Sequence, residues 1–175
     1  VFVGLLMLTV AFAWVATVSV DVSYLEVTLQ MVLLGGGLGL TTAPATDSIM
    51  GVVRPEQAGA GSAVNDATRQ IGGTLGVAVV GSIFSTLYIH QLSDSAILRA
   101  APQAAQEAAR EGLAQGLAVA AQSPASVAQT LRDTVSDAFM SGLHAGCLTA
   151  AAVCLIGAFF VLAVLPAHPA AASHA

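Results

Sequence analysis

Three ionisable side chains stand at the end of stretches that are otherwise apolar. Asp66 and Arg69 lie in VNDATRQIGGTLGVAVVGSI (64–83), and Asp47 lies near the end of the apolar run before it. An ionisable group within a membrane span costs about 2.5–3.5 kcal/mol on insertion scales, so it points to function by default. The chemistry that these residue types offer is an ion pair that forms and breaks.

The spacing of these residues indicates which of them can meet. Asp66 and Arg69 are separated by i,i+3 and share one face of a helix, with Asn65 and Gln70 beside them. Arg69 stays charged, so it needs a partner or water. That partner is Asp66, Asp47 across the neighbouring helix, or a group elsewhere in the protein. The cluster then either locks two helices together or opens and closes as the protein changes state.

The composition places these residues in a membrane. Of the 175 residues, 56% are hydrophobic and 9% are charged, and the mean hydropathy is +0.82. Soluble domains carry roughly 25% charged residues. A chain with so few charges cannot cover its surface with polar side chains, so most of the surface faces something other than water. We therefore expect a lipid bilayer around it.

Four segments are long enough to cross that bilayer, since a span needs about 20 apolar residues. No charged residue occurs in 1–20, 27–46, 70–93 or after residue 137. The sequence predicts an all-α membrane protein with four transmembrane helices at about 1–20, 27–52, 57–90 and 138–165.

The segments between these helices are polar. A short hairpin at 18–26 carries Tyr24 at the position of an interfacial aromatic residue. VRPEQAG (53–59) forms a tight turn, and the second helix is expected to stop there because Pro55 follows. Residues 91–137 are predicted to be a polar loop with amphipathic helices, and 166–175 a disordered tail. The few Arg residues do not fix the orientation in the membrane.

Glycines recur along the predicted spans at the spacing that lets membrane helices pack closely. Gly142 and Gly146 form one GxxxG pair in the last span. The residues predicted to form close helix contacts, together with a proline expected to kink the second span, are Gly35, Gly39, Pro44, Gly72, Gly73, Gly76 and Gly81.

Several function classes find no support in the sequence. The five Arg are scattered and there is no Lys, which argues against nucleic-acid binding. No nucleophile elbow, phosphate loop or metal-ligand spacing occurs, so we expect neither an enzyme nor a metal or cofactor. Cys147 and Cys154 are predicted to be apolar packing residues. His90 and His144 are either interfacial residues or proton relays.

The residues of 35–85 resemble a known family. GLGLTTAP followed by VVRPEQAGAGSAVNDATRQIGGTLGVAVVGSI is similar to the C-terminal part of the drug:proton antiporters of the major facilitator superfamily, in the branch with fourteen helices. That family has a signature of the form G-x-x-S/G-x-x-N-x-x-R-Q-x-G-G-x-x-G-x-A. In this chain the residues that match it are Gly59, Ser62, Asn65, Arg69, Gln70, Gly72, Gly73, Gly76 and Ala78. DAFMSGLHAG (137–146) resembles the entrance to that family's last helix.

The resemblance implies a fold, partners and a location. The four helices would belong to the C-terminal six-helix bundle of a proton-coupled multidrug or metabolite efflux transporter in a plasma membrane, of the bacterial inner-membrane type. The 53–59 turn would be cytoplasmic and 91–137 the outer loop. The partners would be the lipid bilayer, the missing N-terminal helices of the same chain, protons and a small amphipathic substrate. Because the chain begins in mid-helix without Met, we expect a piece of a longer polytopic protein.

Two alternatives remain open at this point. The first is a major facilitator permease for another solute. The second is a four-helix membrane subunit that scaffolds partners and transports nothing.

Overall fold

The computed structural model describes residues 1–20 and 22–164, and this part of the chain is helical. The helices are α1 Phe2–Val15, α2 Tyr24–Met50, α3 Ala58–Asp94, α4 Ala96–Arg99, α5 Gln103–Glu111, α6 Leu113–Gln122 and α7 Ala125–Val164. A short 3-10 helix, Pro55–Gln57, precedes α3. The predicted all-α class is confirmed for the described residues; the predicted tail at 166–175 lies outside them.

Helix α1 is shorter than the predicted range 1–20. It ends at Val15, and its 14 residues span about 21 Å at 1.5 Å per residue. After Ala16 the sequence continues with TVSV (17–20), whose residues have low helix propensity because they are β-branched or compete for backbone hydrogen bonds. The helix therefore stops short of the roughly 30 Å of a hydrocarbon core.

Among the described residues, three helical segments are long and apolar enough to cross a membrane: Tyr24–Met50, Pro55–Asp94 and Ala125–Ala163. The second span begins at Tyr24 rather than at 27 and runs through Pro44. The hydroxyl of Ser48 donates a hydrogen bond of 2.7 Å to the carbonyl of Pro44. The kink predicted at Pro44 stays a prediction.

Helices α3 and α7 both extend into the range 91–137, which was predicted to be a polar loop with amphipathic helices. Helix α3 continues to Asp94, and α7 begins at Ala125, well before the predicted start of the last span at 138. The reason is the absence of a helix breaker, since neither Gly nor Pro occurs between residues 125 and 141. Pro124 directly precedes the helix, and its carbonyl accepts hydrogen bonds from the amides of Val127 and Ala128 at 2.8 and 3.0 Å.

The chain forms two compact units. The first contains Val1–Trp14, Ser23–Gly73 and the described part of Ala150–Ala175. Within it, α1 and α2 are antiparallel, because Gly4 lies against Thr41 while Leu8 lies against Gly37.

The second unit contains Val15–Val22 and Thr74–Thr149. Its buried core joins the end of α3 to the small helices and to α7, through Tyr88, Leu92, Leu98, Ala109, Ala120, Leu131, Val135 and Ala138. Phe84 stacks on Tyr88 at 6.0 Å and meets Phe139 edge-to-face at 5.3 Å. The segment predicted to be a polar loop with amphipathic helices thus contributes most of a packed apolar core.

The three long helices leave most of their apolar side chains exposed. Only 6% of the most apolar part of α3 is buried within the chain. Leu75, Val77 and Phe160 are 62%, 76% and 64% exposed. Such surfaces are unfavourable in water and favourable in lipid or against further helices.

Candidate functional site

The structure brings three of the predicted site residues together. Asp66, Arg69 and Gln70 line an open depression of about 420 Å³ on α3. Their spacing of i, i+3 and i+4 places them on one helix face, which the sequence predicts for Asp66 and Arg69. All three side chains are exposed within the described chain. The depression presents one carboxylate, one guanidinium and one carboxamide on the same surface.

The other two predicted site residues lie apart from this depression. Asn65 is buried, with 8% of its surface exposed. Asp47 is exposed on α2, and its backbone carbonyl accepts a hydrogen bond from the amide of Gly51 at 2.9 Å at the end of the helix.

The predicted cluster of Asp47, Asp66 and Arg69 forms no ion pair among the described residues. No ion pair of 4 Å or less joins Arg69 to Asp66 or to Asp47 in this part of the chain. Three ion-pair partners were considered for Arg69. The described contacts include neither Asp66 nor Asp47, which leaves a group elsewhere in the protein. An unpaired guanidinium at a membrane depth is costly, so such a partner or water is required.

Six of the glycines predicted to form close helix contacts face open space in the described chain. A Cβ atom placed on any of them would meet no heavy atom of a described residue within 4 Å: Gly35, Gly39, Gly72, Gly73, Gly76 and Gly81. Their role in packing stays a prediction, and it concerns surfaces that the described residues do not cover.

The GxxxG pair of the last span does make close contacts. A Cβ on Gly142 would lie 2.9 Å from Cδ2 and 3.0 Å from the backbone oxygen of Phe84. A Cβ on Gly146 would lie 3.2 Å from Cγ1 of Val80. This glycine pair therefore lets α7 approach α3 within the second unit, as its spacing predicts.

Two further close approaches escaped the sequence analysis. A Cβ on Gly37 would lie 2.9 Å from Cγ of Leu8, and one on Gly4 would overlap Oγ1 of Thr41 and lie 2.7 Å from its backbone nitrogen. The signal was weak, because Gly4 stands alone in α1 and Gly37 is the third of three consecutive glycines. The choice among three neighbouring glycines depends on the rotation of α2, which the sequence does not fix.

The two histidines make different contacts. Nδ1 of His90 lies 3.1 Å from Oδ2 of Asp94 one turn later, and both side chains are about three-quarters exposed. Such a surface pair contributes little to stability. Nε2 of His144 lies 2.8 Å from the backbone oxygen of Val18, within the second unit. His144 therefore ties α7 to the segment that follows α1.

The sequence analysis also missed a polar group between α1 and α2. Nε1 of Trp14 donates a hydrogen bond of 3.1 Å to Oε1 of Glu26. One turn further along α2, Gln30 is 3% exposed and its Nε2 has no hydrogen-bond partner among the described residues. A glutamine inside a span was the available signal, since a neutral polar residue there usually bonds to another helix.

The described residues contain no group of three or more His, Cys, Asp or Glu side chains placed to hold a metal ion. Cys147 is buried and Cys154 is partly buried, and both are free thiols. Long apolar helices whose apolar faces are exposed, with a few polar side chains among them, are the features of a helical membrane protein.

Comparison with known proteins identifies the kind of membrane protein. The chain is 32% identical over 172 residues to the tetracenomycin C resistance and export protein of Streptomyces glaucescens, an alignment that covers 95% of this chain and 32% of that protein. It is 30% identical over 158 residues to the multidrug efflux pump LfrA of Mycolicibacterium smegmatis, covering 90% of this chain and 31% of the pump. No family model and no solved structure matches.

These relationships confirm the resemblance drawn from 35–85: the chain is homologous to drug efflux proteins of the major facilitator superfamily. It spans about a third of the length of these relatives. Because both relatives are export proteins, they also confirm the prediction that the chain is not an enzyme.

Proposed function

We propose that this chain is the C-terminal part of a proton-coupled efflux transporter with fourteen helices, which exports amphipathic drugs or secreted metabolites across the bacterial inner membrane. The observation that carries the proposal is the extent of the homology, which covers 95% of the chain in an export protein. The open depression at Asp66 and Arg69 and the uncovered glycine faces support it, because a part of a larger bundle exposes the surfaces that its other helices cover.

In this proposal α1, α2, α3 and α7 supply four membrane segments of the second six-helix bundle. The turn between α2 and α3 lies on the cytoplasmic side, and the core built around α4, α5 and α6 lies on the outer side. Three of the five Arg and five acidic residues fall between residues 91 and 137, which supports a place outside the lipid for this segment but does not decide on which side of the membrane it lies.

Asp66, Arg69 and Gln70 are proposed to act as a gate at the cytoplasmic end of α3. The side chains of Asp66 and Arg69 are exposed within the chain, so they can meet a group on the helices that complete the bundle. An ion pair that forms in one state of the transporter and breaks in the other would couple this end of α3 to alternating access. Asp47 and Asn65 flank this gate in the proposal.

The experiment uses the complete protein in proteoliposomes that contain a fluorescent cationic dye. An imposed pH gradient, acidic on the side opposite to the dye, should drive dye across the membrane, and collapsing the gradient with a protonophore should stop it. Liposomes with the Arg69→Ala variant provide the matched comparison. Dye movement that is equal with and without the gradient would overturn the proposed proton coupling.

A further inference from the structure

A pocket of about 170 Å³ lies in the second unit, where the C-terminal part of α3 meets α7 and the turn between α5 and α6. Three aromatic residues line it, Phe84, Tyr88 and Phe139, and the rings of Phe84 and Phe139 meet edge-to-face at 5.3 Å. Two residues of opposite charge at the end of α5, Arg110 and Glu111, also line it. An aromatic surface and both signs of charge therefore share one small cavity.

The end of α5 is held beside the aromatic rings. The hydroxyl of Tyr88 donates a hydrogen bond of 2.8 Å to the backbone carbonyl of Ala109, which joins α5 to α3. Arg110 and Glu111 follow Ala109 directly. Gly112 then turns the chain into α6 with a φ of 154°, a conformation that glycine adopts without strain. The backbone that carries the two charges is thus fixed at the pocket.

Neither of these charges is neutralised within the described part of the chain. Arg110 and Glu111 are exposed, and no ion pair of 4 Å or less joins either of them to a described residue. Consecutive residues of a helix do not face each other, so the two groups do not favour pairing with one another. A ligand that carries both a cation and an anion would complement the pair.

The pocket lies at the level where charged residues give way to apolar ones. On α7 the last charged residue is Asp137, two residues before Phe139, and no Asp, Glu, Lys or Arg follows it. On α3 no charge occurs in 70–93, a stretch that includes Phe84. In a membrane protein such a change marks the boundary between lipid and water. Phospholipids with zwitterionic headgroups offer both charges at this boundary.

We propose that the pocket binds the headgroup of phosphatidylethanolamine from the surrounding bilayer. The ammonium group enters the pocket, where Glu111 accepts its hydrogen bonds and the faces of the aromatic rings attract the cation. The phosphate stays at the guanidinium of Arg110, whose planar fork of donors matches phosphate oxygens. The acyl chains extend along the apolar faces of α3 and α7, where Val79 and Leu148 are 52% and 56% exposed.

The size of the pocket and the donors of the ligand agree with this choice. A cavity of about 150 Å³ holds a benzene molecule, and an ammonioethyl group is smaller than benzene. A primary ammonium has three N–H donors for Glu111, whereas the trimethylammonium group of phosphatidylcholine has none. The proposal requires that α3 and α7 lie in a membrane, and it does not depend on what the complete protein transports.

The test measures lipid binding to the complete protein by native mass spectrometry. Detergent-solubilised protein is titrated with phosphatidylethanolamine, phosphatidylcholine and phosphatidylglycerol that carry the same acyl chains. The wild type should bind phosphatidylethanolamine most tightly. Glu111→Gln should weaken this binding about two- to fivefold, as expected for an exposed charge pair, and should leave phosphatidylglycerol binding unchanged. Arg110→Gln should weaken the binding of all three lipids, because each carries a phosphate.

Matched variants separate the pocket from general effects of charge and bulk. Glu107→Gln and Arg132→Gln remove exposed charges of the second unit that do not line the pocket, and they should bind all three lipids like the wild type. Ser85→Phe adds a ring to a residue that lines the pocket, and Ser82→Phe adds the same ring one turn earlier, outside it. Ser85→Phe should lose the preference for phosphatidylethanolamine, and Ser82→Phe should keep it.

Three results would overturn the proposal. The first is a wild type without a preference for phosphatidylethanolamine. The second is equal binding of this lipid by Glu111→Gln and Glu107→Gln, or a loss in Glu111→Gln that is the same for all three lipids. The third is displacement of bound phosphatidylethanolamine by an equal concentration of O-phosphoethanolamine, because the ligand would then be a soluble phosphoamine and not a lipid.

Discussion

The hydroxyl of Tyr88 donates a hydrogen bond of 2.8 Å to the backbone carbonyl of Ala109, joining the end of α3 to α5 across 21 residues of sequence. Tyr88 is 3% exposed and Ala109 is fully buried. Gly112 follows α5 and has a φ of 154°, a backbone conformation that residues with a side chain rarely adopt. This contact and this turn hold the α5–α6 pair against α3.

Replacing Tyr88 with Phe should loosen α5. The change removes the donor and leaves a buried carbonyl unsatisfied, which costs about 1–3 kcal/mol. Hydrogen exchange of the amides of residues 103–111 should become faster, by roughly the factor in the opening equilibrium to which this loss of free energy corresponds. Tyr24→Phe is the matched control, because the Tyr24 side chain is 88% exposed. Equal exchange in the two variants would show that the Tyr88 bond does not hold α5.

Replacing Gly142 with Ala should destabilise the contact between α3 and α7. The added methyl group would lie 2.9–3.1 Å from the ring and backbone of Phe84, and overpacking of this kind costs about 1–3 kcal/mol. Thermal unfolding of the complete protein in detergent measures the effect. Gly157→Ala is the control, since the nearest described atom there is 3.7 Å away. A Gly142→Ala protein that melts no lower than Gly157→Ala would contradict the packing described here.

Replacing Gly76 with Leu tests whether the open face of α3 is covered in the complete protein. The described residues leave the site empty, so any loss of stability must come from other helices. We expect a lower melting temperature and a lower yield of membrane-inserted protein. Val153→Leu, at an exposed apolar position of α7, controls for added bulk. Indistinguishable variants would mean that the glycine face meets lipid, where extra bulk is tolerated.

Replacing Arg69 with Ala should reduce transport about tenfold or more, because removing one member of a desolvated ion pair leaves the other charge unpaired. Arg132→Ala is the control, as Arg132 is exposed on α7 in the second unit. Efflux rates per inserted molecule give the comparison. The gate proposed at Asp66 and Arg69 fails if both variants transport and express like the wild type.

The sequence predicts those features that repeat along the chain. Apolar runs gave the helical class and the position of the long helices, and the spacing of Gly142 and Gly146 identified a true close approach. Asp66, Arg69 and Gln70 share a surface because their i, i+3 and i+4 positions require it. These are local properties, readable from one segment at a time.

Features that depend on pairing between distant segments could not be read in this way. Gly4 meets Thr41, Trp14 meets Glu26, and Tyr88 meets Ala109 only because the helices have particular rotations and registers. The sequence predicts amphipathic helices within 91–137, but the continuity of the helix that begins at Ala125 with the last span was missed, because the change from polar to apolar residues at 138 was taken as a structural boundary. A helix without a breaker continues across such a change.

The central claim is that the exposed apolar faces of the long helices lie in lipid or against other helices, and the reactivity of single thiols tests it most directly. Leu75 on α3 and Gln115 on α6 are both exposed within the chain. Each is replaced by Cys in complete protein that lacks its native cysteines, and native membranes are treated with a maleimide. Maleimides react with the thiolate, which does not form in an apolar environment. The account predicts rapid labelling of Gln115→Cys and almost none of Leu75→Cys; equal rates at the two positions would contradict it.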